Sequence, residues 1–147
     1  MTRRRLSIEP DIAEIPRLLD WVERHCADAG IDSNLSFRLT LALDEAVTNV
    51  ISHAFAGQPG PHRLGVRLNI TAARVTATVV DNGRAFDTSA AAEPDISQPL
   101  ETRDPGGVGI LLIHRMVDKI EYRRVGAENR LRLEKSRARA GTSAPVL

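Results

Sequence analysis

Two alternating runs constrain the fold more than anything else in this chain. HRLGVRLNI and ARVTATVVD each switch between apolar and other residues at every step, and only Thr71 and Ala72 separate them. Period-two alternation on either side of a short polar break reads as a β-hairpin with one buried face. A second pair, KIEYRRV and NRLRLEK, is joined at GAE and reads the same way. Two hairpins need a common partner for their apolar faces, and the rest of the chain offers helices.

Ahead of the first hairpin, RLSIE (residues 5–9) alternates as a short strand. Pro10 and Asp11 open a helix whose apolar face carries Ile12, Ile15, Leu18, Leu19, Val22, Cys26 and Ala29. Pro16 falls in its first turn, where N–H groups lack helical partners, and Gly30 supplies the stop. Ser33 or Asn34 caps a second helix that runs to about Phe55 and ends at Gly57. A third amphipathic helix, ILLIHRMVDKI, follows GGVG. The order β-α-α-β-β-loop-α-β-β does not alternate regularly. It therefore points to an α+β fold: a two-layer sandwich with a mixed, mostly antiparallel sheet and helices on one face.

Length and composition narrow the function. At 147 residues the chain is expected to form one domain over residues 1–136, followed by a flexible tail over 137–147. Net charge is +1 and aromatic residues make up 3%, so neither a basic stripe nor stacking platforms point to direct nucleic-acid binding. Arg3, Arg4, Arg5, Arg137 and Arg139 read as solvated ends. No apolar run is long enough to span a membrane, and MTRRRLSIEP lacks the apolar core of a signal peptide. The single cysteine, Cys26, gives no internal disulfide and fits a cytoplasmic setting.

Three polar clusters interrupt the apolar scaffold. In LDEAVTNVISHAF, Glu45, Asn49 and His53 lie four apart and share a stripe of the second helix. A carboxylate can accept a proton, and an amide oxygen suits Mg²⁺; alone, the pair reads rather as solvated helix surface. In VVDNGRAFD, Asp81 closes an apolar strand. Asn-Gly there ordinarily makes a hairpin turn, yet RAFDTSAAAEPD does not continue as a strand. Asp81 can instead accept a hydrogen bond from a ligand N–H, with Gly83 allowing close approach of backbone to a flat ring. In DPGGVGILLIHRM, Gly106, Gly107 and Gly109 precede or open a helix, whose free N–H groups and positive dipole end suit phosphate. The stretch from Arg84 to Pro105 has no periodicity and includes Pro94, Pro99 and Pro105. A loop that long inside a compact domain is functional or disordered.

Taken in order, these clusters resemble the three boxes of the GHKL family of ATP-binding domains, which share the Bergerat fold: EAVTNVISHA the first, DNGRAFD the second and GGVGILLI the third. The resemblance spans roughly Arg5 to Lys135 and is strongest to the anti-sigma-factor serine/threonine kinases of the RsbW and SpoIIAB type. It implies ATP and Mg²⁺ as cofactors. It implies Glu45 as general base on a substrate serine and Asn49 as the Mg²⁺ ligand. Asp81 would hold the adenine amino group with Gly83 beside the ring. Gly107 and Gly109, with Gly106 nearby, would wrap the phosphates under an ATP lid at about 88–105. Implied partners are a sigma factor or similar regulator and a phosphorylatable antagonist of the STAS type, with a homodimer as the assembly.

Arg84, Arg103 and Arg115 are candidates for charge near the phosphates. His53, like His25, His62 and His114, reads as a packing residue. The chain departs from the family on the last strand, where GAENRLRL puts Asn129 or Arg130 in place of a threonine. The alternative reading is a non-catalytic module in which ATP gates the sequestration of a partner; a plain ATPase, with Glu45 activating water, is a further one.

Overall fold

The computed structural model describes residues 1–89 and 107–137, with Gly107 and Val108 described by their backbone only. Gly106, Arg103, residues 90–105 of the expected lid and residues 138–147 of the expected tail lie outside the described residues.

Five strands form one sheet: β1 (Thr2–Ile8), β2 (Leu64–Ile70), β3 (Arg74–Asp81), β4 (Lys119–Val125) and β5 (Glu128–Ser136). Their order is β1-β2-β3-β5-β4, and all four pairings are antiparallel. The parallel component allowed by a mixed sheet is therefore not found among the described residues. Both expected hairpins form. β5, last in sequence, nevertheless pairs with β3 as well as β4, which places it inside the sheet and leaves β4 at the edge.

Alternation along β2 shows how the sheet meets its helices. Leu64, Val66, Leu68 and Ile70 are buried, while Arg67 and Asn69 are exposed. Val75, Ala77 and Val79 of β3 and Leu131 and Leu133 of β5 extend the same buried face. Three helices cover it: α1 (Ile15–Asp28), α2 (Ser33–Asn49) and α3 (Gly107–Met116). They contribute Leu18, Val22 and Cys26 from α1, Leu39, Leu43 and Val47 from α2, and Ile113 from α3, all essentially inaccessible to solvent. None of the helices among the described residues is long and apolar enough to cross a membrane.

Several boundaries differ from expectation for identifiable reasons. β1 begins at Thr2, so Arg3, Arg4 and Arg5 belong to a strand paired with β2 rather than to a solvated end. Exposed charge suits an edge strand, because it discourages pairing with another chain. The Asp11 carboxylate accepts from Ala13 N at 2.9 Å and caps a single 3-10 turn, Ile12–Glu14, before α1 begins. Asp32, rather than Ser33 or Asn34, occupies the N-cap of α2 and makes no side-chain capping bond. α3 stops at Met116, and the Asp118 carboxylate then receives Ser136 N at 2.7 Å, tying the helix exit to β5. Arg137, expected in the tail, is held: its guanidinium donates to Thr71 O at 2.8 Å and its N–H to Ala73 O at 2.9 Å.

The seam between α2 and the sheet carries the core. Leu43→Ala should lower unfolding free energy by about 2–5 kcal/mol, because a fully buried leucine leaves both lost transfer energy and a cavity; urea denaturation checks this.

Candidate active site on helix α2

The packing of Leu39, Ala42, Leu43, Ala46 and Val47 against the sheet sets which residues of α2 face elsewhere. Glu45 faces α3, and the two helices are packed together. A Cβ added at Gly109, in the first turn of α3, would run into the Glu45 carboxylate. Glycine therefore lets the helix start close over this acid. Burial raises the pKa of Glu45 above the usual carboxylate range, with Asp44 adding to the effect. A carboxylate so shifted is a stronger base than a solvated one.

One turn on, Asn49 is 4% exposed, and its Nδ2 has no hydrogen-bond partner among the described residues. Buried amides are nearly always satisfied, so this one is open to a group from outside the chain. Rotation of the amide presents either its oxygen or its nitrogen there.

At Asn49 the α-helix gives way to a π-turn, Val50–Ala54, closed by Phe55 N donating to Val50 O at 3.0 Å. The second helix thus reaches its expected end with a change of winding, of a kind common at functional sites. His53 lies in this turn, its ring stacked on Phe86 with centroids 5.5 Å apart. Its packing role is as expected.

The residues after β3 close over the end of that turn. Arg84 N donates to Ala54 O at 2.9 Å and Arg84 Nε to His53 O at 3.0 Å, so two helix-end carbonyls are satisfied from β3's exit. The exposed Arg84 side chain thus anchors this end of the π-turn through Nε. Arg115 sits about 12 Å along α3 from its start, by the rise of an α-helix.

Gly83 passes so near the π-turn that a Cβ would lie 2.6 Å from Ala54 O and 2.8 Å from its carbonyl carbon. The glycine is required by chain packing, whatever else approaches it. Asn82 does not make a hairpin turn: its side chain accepts from Arg63 N at 2.6 Å and donates to Pro61 O at 2.9 Å, pinning the loop that enters β2.

Asp81 is 3% exposed at the last position of β3. Burial raises its pKa, opposed by hydrogen bonds from Asn129 and from Gly83 N. Asn129 stands directly opposite it on β5, with Nδ2 2.9 Å from Asp81 Oδ1. Of the two residues, Asn129 and Arg130, read in place of a threonine, Asn129 is the one that reaches Asp81, while Arg130 pairs with Glu128. Sequence reasoning did not find Tyr122 and Arg124, which also reach Asn129; the β4–β5 register brings them there. Nor did it find Thr88, whose carbonyl lies 3.0 Å from His114 Nε2 while its buried hydroxyl has no partner.

The first cluster thus meets the described part of the third on α2, Gly109 against Glu45, and the second on the π-turn that follows it, Gly83 against Ala54. A cleft of about 410 Å³ between β1, β2 and the end of β3 touches Asp81 but none of Glu45, Asn49 and Gly109. The site is therefore defined by its residues rather than by that concavity.

A family profile described as the histidine kinase-like ATPase domain matches residues 8–135. The chain belongs to that family. Among similar members of it is the serine/threonine-protein kinase BtrW of Bordetella bronchiseptica, 34% identical over 78% of this chain and 80% of its own length. The serine-protein kinase RsbW of Halalkalibacterium halodurans is 33% identical over 58% of this chain and 53% of its own. A solved structure of the RsbU and RsbW domains of a Mycobacterium tuberculosis protein superposes with a TM-score of 0.66 over 97% of this chain and 35% of that one. At 14% identity that likeness speaks for the histidine kinase-like ATPase fold alone.

Two outcomes follow from these contacts. Gly83→Ala should destabilise the fold by about 1–3 kcal/mol, since the obstructing atoms are backbone; chemical denaturation measures it. For Glu45, a folded-state pKa above the unfolded value means that stability falls as pH rises from the unfolded pKa through the folded one. Glu45→Gln should therefore be more stable than the parent at neutral pH. The difference should vanish below the unfolded pKa, as read by thermal melts across pH.

Proposed function

We propose that the chain is an ATP-dependent protein serine/threonine kinase of the partner-switching kind. It would bind a sigma factor or similar regulator in the cytoplasm, as a homodimer, and phosphorylate a STAS-type antagonist. The carrying observation is the meeting of a half-buried carboxylate, a buried amide with an open donor and a glycine-started helix along α2. The likeness to BtrW and RsbW, which are serine/threonine- and serine-protein kinases, supports the same reading.

In this reading Asp81 accepts the amino N–H of adenine. The first turn of α3, with Gly107 and Gly109, directs free N–H groups at phosphate oxygens. Gly106 completes that glycine run. Asn49 fits a role toward Mg²⁺, because its buried amide lacks a partner of its own and an oxygen donor is the type this cation prefers. When bound, the ion supplies positive charge to the phosphates. Glu45 takes the proton of the attacking serine or threonine hydroxyl as its oxygen bonds to the γ-phosphorus. ADP departs with the electron pair of the broken P–O bond. Glu45 has no side-chain hydrogen bond among the described residues, which leaves its oxygens available for that proton. Burial raises its pKa and so strengthens it as a base.

The test uses labelled ATP, Mg²⁺ and STAS-type proteins encoded nearby. Label should pass to a serine or threonine of one of them. Glu45→Gln should retain ATP binding and lose transfer by about 10²–10⁴-fold, the usual worth of a general base. Asp81→Asn should weaken ATP binding, read by calorimetry. Tight ATP binding with no transfer to any partner would instead identify a nucleotide-gated binding module.

A further inference from the structure

Asn129 has all its hydrogen-bonding capacity committed. Nδ2 donates to Asp81 Oδ1 at 2.9 Å and to Arg84 O at 2.7 Å. Oδ1 accepts from Tyr122 OH at 2.6 Å and from Arg124 Nη1 at 3.0 Å. These partners also decide which way the amide points. A guanidinium can only donate and a backbone carbonyl can only accept. Turned over, the amide would set its NH₂ against Arg124 and its oxygen against both Arg84 O and the carboxylate. Arg124 Nη1 further donates to Gly83 O at 2.7 Å, so the same cation holds the turn that follows Asp81.

The consequence falls on Asp81. Oδ1 receives two donors, Asn129 Nδ2 and Gly83 N, each at 2.9 Å. Oδ2 receives none among the described residues. A carboxylate with both oxygens free can turn and offer either one; here one oxygen is pinned and the other is left as an acceptor of fixed direction.

We infer that Asn129, itself oriented by Tyr122 and Arg124, is a positioning residue for base recognition. By holding Asp81 with only Oδ2 on offer, it sharpens the preference for purine nucleotides with an amino group at position 6 over those with an oxo group there. This inference rests on the reading of Asp81 as the carboxylate that meets the base. Asn129 acts through Asp81 and need not touch the nucleotide. A 6-amino group donates to Oδ2, whereas a 6-oxo group sets an acceptor against an acceptor. A site built for a hydrogen-bond donor discriminates strongly against a ligand lacking one, provided its own partner cannot turn away.

The experiment measures the affinities of the full chain for ATP and inosine triphosphate by calorimetry with Mg²⁺, for the parent and three variants. The parent should prefer ATP. Asn129→Ala should weaken ATP binding by about tenfold, as expected for loss of a hydrogen bond to a charged group, and change inosine triphosphate binding by less than about threefold. Asn129→Asp keeps the size and shape of the side chain but turns the donor facing Asp81 into an acceptor, and should contract the preference at least as much. Tyr122→Phe removes one of the two donors to Asn129 Oδ1 and should shift the preference in the same direction by a smaller factor. Equal losses for both nucleotides in a variant with parental circular dichroism would show a merely structural role and overturn the inference. So would an unchanged preference in Asn129→Asp. A parent that binds ATP no better than inosine triphosphate would instead overturn the reading of Asp81 itself.

Discussion

The burial of Leu39, Leu43 and Val47 beneath the sheet is the contact on which the rest depends. It is a nondirectional interaction with a directional result. Once that stripe is committed to the core, the rotation of α2 about its axis is settled, and Glu45 and Asn49 are carried to the side where α3 and the end of β3 converge. The polar residues contribute little to choosing their own position. Apolar packing chooses it, and the polar groups accept whatever solvation results.

That solvation is poor, and its cost is tolerated. Asp81 is buried at a strand end, Glu45 is half-buried under a helix start, and the Asn49 amide has an open donor. Each opposes folding to some degree, since a buried charge or unpaired donor loses water without full compensation. Glu45 and Asn49 lie one turn apart on α2, and Asp81 ends the strand whose exit packs on the π-turn after Asn49, while the core behind them is aliphatic. Local departures from the rules of stable packing, clustered in one place, are expected where a protein does chemistry.

Much of this was legible in the sequence. Period-two alternation identified both hairpins, and helical periodicity located α1 and α2, because the sheet and helices each bury a single face. Glu45, Asn49, Asp81, Gly83 and Gly109 were all singled out; the structure sets Gly109 against Glu45 and Gly83 against Ala54 of the π-turn that follows Asn49. The harder matters were those set by tertiary register. Gly83 was read as leaving room for a ring, yet its contact is with Ala54, a residue 29 positions earlier that only the folded chain brings near. Arg84 was read as one of three candidates for charge near the phosphates, and its bonds to helix-end carbonyls had no sign in the sequence. The π-turn after Asn49 leaves no mark in the apolar pattern, since Val50 and Ala54 are buried as an α-helix would also bury them. Tyr122 and Arg124 were not singled out, because they meet Asn129 only once β4 pairs with β5.

That position has a consequence for the birth of the protein. β5 lies inside the sheet although it is the last strand made, and Asp81 meets Asn129 across 48 residues of chain. A ribosome-bound chain that has completed α2 and the first hairpin holds Glu45, Asn49 and Asp81, but one edge of β3 stays open. Non-local pairings of this kind form late, because closing the intervening loop must precede any gain from the contact. Until β5 arrives, that bare edge is a place where another unfinished chain can pair. The strand that completes the surroundings of Asp81 is thus also the one that ends the nascent chain's most exposed moment.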